Sequence, residues 1–230
     1  GSGQYTPSDS ESTKAGSARL ALETPGFDRY CFIEARDIYF AQLREVQEQF
    51  SSHQIDLHHG DANEILPLLL SELNAGEWRG VLFLDPYGMN LEWATLQAVA
   101  STELLDVWYL FPISGVYRQA ARSMKDVDEH KAAALDRCLG TANWRDAFYR
   151  ESPQRDLFGE APDVERFAKV DAIEDFVRAR LREVFPAVMK PLRLPRTGAA
   201  LYSLFFAVSN KSPRAIGLAQ KIAKAILDKA

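Results

Sequence analysis

The sequence predicts an α/β fold: a mostly parallel sheet covered on both faces, finished by an antiparallel C-terminal hairpin and interrupted by one helical insertion. Three observations predict it. From Asp28 to Ile113 apolar strand-like runs alternate with helical segments, in the order strand, helix, strand, helix, strand, helix, strand. Those strands are apolar on both faces, as strands of a parallel sheet buried between helices are. The last two strand-like runs, "KPLRLP" and "ALYSLFFAVSN", are separated only by a short turn at Arg196-Thr197-Gly198, which reads as a hairpin. The chain has 230 residues, 47% hydrophobic and 26% charged, which suits one domain over residues 1–230 with an insertion at about 114–187. A chain of this length buries a full core without disulfides or metal.

The chain opens on a Gly/Ser/Pro/Asp-rich loop and turns helical at Ser17, a residue suited to cap the "ARLALE" that follows. "RYCFIEA" reads as a buried strand ending at Glu34, with Cys31 inside it as a small buried hydrophobe. In "RDIYFAQLREVQEQFSS", Ile38, Phe40, Leu43, Val46 and Phe50 recur at helical spacing. "QIDLHHGDA" is a short alternating strand ending at Gly60-Asp61, and "ANEILPLLLSELNAG" is a helix closed by Asn74 and Gly76. "GVLFLDPYG" is the next strand, "LEWATLQAVAST" the next helix, and "LLDVWYLFPI" a strand rich in aromatic and branched residues. Ser114 to about Ala187 breaks this alternation with polar helical segments such as "KAAALDRCLG" and "VDAIEDFVRARLREVF" around the loop "ESPQRDLFGEAPD". The amphipathic tail "SPRAIGLAQKIAKAILDKA" is capped by Ser212 with Pro213 at its first position.

Three acids, Glu34, Asp61 and Asp85, end three consecutive strands, and in a parallel sheet such ends share the edge where open α/β folds place ligands. One acid after a strand is a common helix cap; three in a row point to a crevice. A carboxylate after the second strand can accept both hydroxyls of a ribose, and Asp61, with Ala62 beside it in "GDA", can accept from an adenine amino group. "GSGQY" supplies a Gly-x-Gly at Gly1 and Gly3, suited to close backbone approach by a ligand, but Thr6 stands where a nicotinamide fingerprint needs its third glycine. That pattern argues against a dehydrogenase.

"DPYG" carries amine chemistry. The lone pair of an exocyclic base amine is delocalised into the ring, and an acceptor for its N–H groups localises it on nitrogen. Asp85 and the carbonyl of Pro86 are such acceptors, and Tyr87 can stack on an unpaired base. The competing reading is a strand-end turn with a packed tyrosine.

His58-His59 lacks a third ligand at usable spacing, so no metal site is expected. Trp93, Trp108, Tyr109 and Phe111 read as core. Arg193, Arg196, Lys211 and Arg214 flank the final hairpin and read first as a solvated face, second as a phosphate-binding rim. A formal net charge of -5 argues against wholesale attraction to nucleic acid and leaves that task to local basic patches. Cys31 and Cys138 form no CxxC or Cys/His spacing, so both are expected as reduced thiols of a cytoplasmic protein. No run approaches the ~18 apolar residues of a membrane span.

Taken together, "GSG", Glu34, Asp61 and "DPYG" fall in the order of the functional loops of class I S-adenosylmethionine-dependent methyltransferases, a Rossmann-like fold with strand order 3-2-1-4-5-7-6. "DPYG" is similar to the (D/N/S)PP(Y/F/W) motif of amino-group methyltransferases, with one proline in place of two, and to the DP(F/Y)G version of guanine-N2 methyltransferases. More narrowly, "GSGQY…AGSARLALE…FIEA…GDAN…VLFLDPYGMNLEW…LDVWYLFPI" resembles the bacterial three-Cys-motif partner family. The resemblance implies S-adenosylmethionine as cofactor, with Gly1 and Gly3 at its methionine end, Glu34 at the ribose, and Asp61 with Ala62 at the adenine. It implies Asp85, Pro86 and Tyr87 at the target amine, an adenine N6 or guanine N2 of DNA or RNA. That family's first strand precedes its glycine loop, so the first strand is expected to lie before Gly1. The alternative is a methyltransferase-like binding protein that works with a three-cysteine-motif protein.

Overall fold

The computed structural model describes residues 4–5, 14–74, 76–152, 163–195 and 197–227. It divides into two compact units, Gly1–Ser71 and Glu72–Ala230, and combines helices with parallel and antiparallel strands, an α/β protein as expected.

The first unit runs β1 (Gln4–Tyr5), β2 (Lys14–Ala15), α1 (Ser17–Glu23), β3 (Tyr30–Glu34), α2 (Asp37–Gln49), β4 (Ile55–His59) and α3 (Ala62–Ser71). β1 and β2 pair antiparallel, while β3 and β4 pair parallel, in register from Tyr30↔Ile55 to Glu34↔His59. Leu22, Tyr30, Val46 and Ile55 form the core, with Phe32, Phe50 and Leu57 packed against it. The Tyr30 hydroxyl donates to the Thr24 carbonyl at 3.0 Å, so this core ring keeps its polar end satisfied. Alternation along β3 explains one correction. With Tyr30 and Phe32 on the packed face, Cys31 falls on the other face and is exposed, not buried. Two boundaries also shift. Gly16 is the extended residue preceding α1, and Ser17 is already helical. α3 ends at Ser71, and the Asn74 side chain instead closes a local turn by accepting from the Gly76 N–H at 3.0 Å.

The second unit runs β5 (Gly80–Leu84), α4 (Trp93–Thr102), β6 (Leu105–Phe111), α5 (Ile113–Gln119), α6 (Glu129–Leu139), α7 (Trp144–Phe148), β7 (Tyr149–Glu151), β8 (Val164–Arg166), α8 (Val170–Val184), β9 (Ala187–Val188), β10 (Leu192–Leu194), β11 (Tyr202–Val208) and α9 (Pro213–Leu227). Its sheet has the order β10-β11-β6-β5. β5 and β6 are parallel, joined through α4; β11 is antiparallel to β6 and to β10, which makes the predicted hairpin. β9 pairs with the far end of β11. One face of the sheet buries Val107, Tyr109, Phe111 and Phe205. The other is covered by α9, whose Ala219 and Ala223 meet Phe206, Val208 and Trp108. Of the aromatic residues read as core, Trp93, Tyr109 and Phe111 are buried, and Trp108 is partly buried against the core. The segment 114–187 is helical as expected, but it also holds the small antiparallel hairpin β7–β8. Its own core includes Trp144 and Phe148, both 0% exposed.

α4, α6 and α8 meet around one glycine. Gly140 ends α6 at φ +65°, and a Cβ placed there would lie 2.0 Å from Trp93 Cγ. The Arg180 guanidinium lies over the Trp93 ring, 4.7 Å from its centre, and donates to the carbonyls of Leu139 and Gly140. Cys138 lies beneath this junction, where burial pushes its thiol up to about 12 and keeps it protonated.

Candidate functional site

β5 delivers "DPYG" to the carboxyl end of its parallel pair: Leu84, in register with Tyr109, is buried, and Asp85 is the first residue out of the strand. Gly88, at φ +59°, takes the left-handed conformation that turns the chain away from the strand, a position where a side chain would be strained. Met89 then packs against Gly115 of α5, the nearest side-chain atom 3.5 Å from where a Cβ would stand. The loop is thus braced against the start of the insertion, and α5 leaves the same end of the sheet as Asp85. The insertion therefore begins at the carboxyl edge of the β5–β6 pair.

Within this loop the acid and the aromatic behave unlike the parts of a closed turn. Tyr87 is 78% exposed. Asp85 is exposed, and its carboxylate makes no hydrogen bond or ion pair among the described residues. α4 begins eight residues later, with Glu92 rather than Asp85 at its N-cap.

Glu34 and Asp61 differ from Asp85 in this respect. Glu34 Oε1 accepts from the Arg36 N–H at 2.9 Å, and Asp61 Oδ1 accepts from the Asn63 N–H at 2.8 Å. Each holds the first turn after its strand, the ordinary work of a strand-end acid. They are neighbours: Glu34 is the last paired residue of β3, and the Gly60 N–H donates to its carbonyl at 3.1 Å. Glu34 is half-buried and Asp61 exposed, and in each one carboxylate oxygen is not used in these turns. Ala62 opens α3 beside them. Gly1 and Gly3 lie outside the described residues.

On the early insertion, Arg118, Arg122 and Lys125 are exposed. Arg122 lies 3.8 Å from Glu165 and Lys125 3.7 Å from Asp163, loose surface pairs of little energetic consequence. Arg118 has no ion pair among the described residues. His59 is engaged locally, stacked on Phe40 at 4.5 Å and 3.1 Å from Asp37.

The hairpin cations divide. Lys211 pairs with Glu103, and Arg196 lies outside the described residues. Arg193 is structural. It donates from Nε to both oxygens of Glu174 at 2.9 Å, also bonds Asp171, and Glu174 in turn accepts from the buried Ser203 hydroxyl at 2.5 Å. These partners hold the guanidinium pKa well above its ordinary value. Sequence reasoning missed this cluster, because its members are 19 and 29 residues apart. Arg193→Ala leaves a Glu174 carboxylate that is 9% exposed without its cation. It should cost about 2 kcal/mol of stability, below the figure for a fully buried pair because the guanidinium is 40% exposed. A thermal melt checks this, and an unshifted melt would return Arg193 to the phosphate-rim reading.

Comparison with family models, curated proteins and solved structures returns no match to this chain.

Proposed function

We propose that the protein is an S-adenosylmethionine-dependent methyltransferase acting on an exocyclic amino group of a nucleic-acid base. The observation that carries this reading is the state of "DPYG": an acid with no partner among the described residues and an exposed aromatic, on a loop braced by Met89 against Gly115. A turn that served only the fold would spend its acid on a nearby backbone N–H, as Glu34 and Asp61 are spent. The strand orders support the same reading. β5–β6–β11–β10 corresponds to the 4-5-7-6 part of the methyltransferase pattern, and β3–β4 to its 2-3 pair.

The residues present fit the cofactor in part. Half-buried Glu34 has a carboxylate oxygen free of its own turn, which suits a ribose diol, and adjacent Asp61 suits an adenine amino group. Gly1 and Gly3 would face the methionine end. S-adenosylmethionine supplies a methyl activated by its sulfonium. The chain's share is positioning and electrostatics. Asp85 and the Pro86 carbonyl accept from the target N–H groups, raising electron density on nitrogen, and the Asp85 carboxylate stabilises the positive charge that develops there. Tyr87 holds the base by stacking. The test is transfer of tritiated methyl to mixed DNA and RNA. Incorporation by the parent chain supports the proposal, and none in either pool refutes it.

Glu34→Ala removes acceptors for two hydroxyls and should weaken cofactor binding by about 1–3 kcal/mol. Calorimetry showing unchanged affinity would remove Glu34 from the ribose site.

A second reading, a methyltransferase-like domain that serves a protein partner, is favoured by Val81 and Phe83, 52% and 51% exposed on one face of β5. Binding to a three-cysteine-motif protein without methyl transfer would select it.

A further inference from the structure

A second polar feature lies at the opposite end of the same sheet. β11 runs antiparallel to β6, so its end at Ala207 and Val208 sits at the amino end of β6, away from Asp85. There β9 pairs with it, Val188 to Ala207 and Ala187 to Val208. Around this corner is a groove of about 870 Å³, walled by Arg178 and Arg182 of α8, Lys190 of the β9–β10 connection, and Gln220 and Lys224 of α9. Its lining also includes the apolar Pro186, Met189 and Leu192.

Four cations meet here in a protein of net charge -5. Among the described residues none of the four makes an ion pair. The reason for Arg178 is visible. Glu174, one turn earlier on α8, is the natural partner at i−4, but its carboxylate is taken by Arg193 and Ser203. Arg178 donates instead from Nε and Nη2 to the Val188 carbonyl at 3.3 Å, which pins the guanidinium at the groove and leaves its remaining donors without acceptors among the described residues. Burial and the neighbouring Arg182 lower its pKa, and nearby Asp175 partly offsets them. The α8 C-terminus accounts for Arg182 in its last turn, but not for Lys190 and Lys224, which arrive on separate segments.

We infer that this groove is an anion-binding site for a ligand carrying two or more phosphate groups, separate from the "DPYG" edge. A pinned guanidinium gives direction, three exposed cations neutralise spread charge, and the apolar lining accepts an uncharged part of the ligand. The inference stands whether or not the methyl-transfer reading holds.

Two probes separate the sources of phosphate: inorganic tripolyphosphate, and a fluorescein-labelled single-stranded RNA twelve-mer. The double variant Arg182→Gln/Lys224→Gln neutralises two exposed walls without touching the core. Lys221→Gln on α9, not part of the groove, controls for bulk charge. The parent chain should bind at least one probe at low salt. The double variant should bind at least tenfold more weakly with an unchanged melting temperature, and Lys221→Gln should bind as the parent does. Binding of tripolyphosphate alone identifies a small phosphorylated ligand. Binding of the RNA, with a salt slope that falls by about one per lost phosphate contact, identifies a nucleic-acid backbone. No binding of either probe, or equal loss in the double variant and Lys221→Gln, overturns the site.

Discussion

Asp85→Ala should lose methyl transfer by about 10²- to 10³-fold in kcat while keeping cofactor affinity and melting temperature. The loss falls on turnover because the acceptor removed acts on the target amine as positive charge develops. The unchanged melt follows from the structure, in which the Asp85 carboxylate caps nothing among the described residues and is exposed. Were the motif only a turn, the pattern would invert: activity would survive and stability would fall by about 1 kcal/mol, the value of a lost cap. Tyr87→Ala belongs to the same series. It removes a ring that is 78% exposed, so stability should hold, and substrate binding should weaken by about 1–3 kcal/mol for one lost base stack. Tyr87→Phe keeps the stacking face and should be mild.

Gly140→Ala should be the most damaging of the alanine substitutions at Gly26, Gly60, Gly88, Gly140 and Gly198, the described glycines at positive φ. Its φ of +65° disfavours any side chain, and the new Cβ would stand 2.0 Å from Trp93 Cγ. Nothing nearby yields easily: Trp93 is 5% exposed, and Arg180 covers its ring while holding the α6 carbonyls. Overpacking and backbone strain together should cost about 3 kcal/mol, lowering Tm by roughly 6–12 °C for a chain of this size. Gly88→Ala has the same sign of φ but nothing within 4 Å, so it should cost only about 1 kcal/mol. Melts of the two variants separate collision from conformational preference.

The alternation of apolar runs with helical periodicity was enough to read β3 to β6, the hairpin β10–β11 and α9, because each carries an apolar run or stripe whose period is readable in the sequence. Cys31 was misread because "YCFIEA" is apolar on both faces, and only the pairing of β3 with β4 shows which face packs. The hairpin β7–β8 was missed because three-residue strands carry no readable period. At the site, the three strand-end acids were legible as positions but not as roles. Their difference lies in the hydrogen bonds, with Glu34 and Asp61 spent partly on their own turns and Asp85 unspent. The groove at the other end of the sheet was illegible for a similar reason. Arg178 looks paired with Glu174 in sequence, and only the arrival of Arg193 from β10 frees it.

The most direct measurement is mass spectrometry of nucleosides from DNA and RNA incubated with the protein and methyl-deuterated S-adenosylmethionine. The account predicts a deuterated methyl on the exocyclic nitrogen of adenine or guanine, produced by the parent chain and at least about a hundredfold more slowly by Asp85→Ala. A methyl on a ring carbon or ribose oxygen, or the same product from Asp85→Ala at the parent's rate, would contradict it.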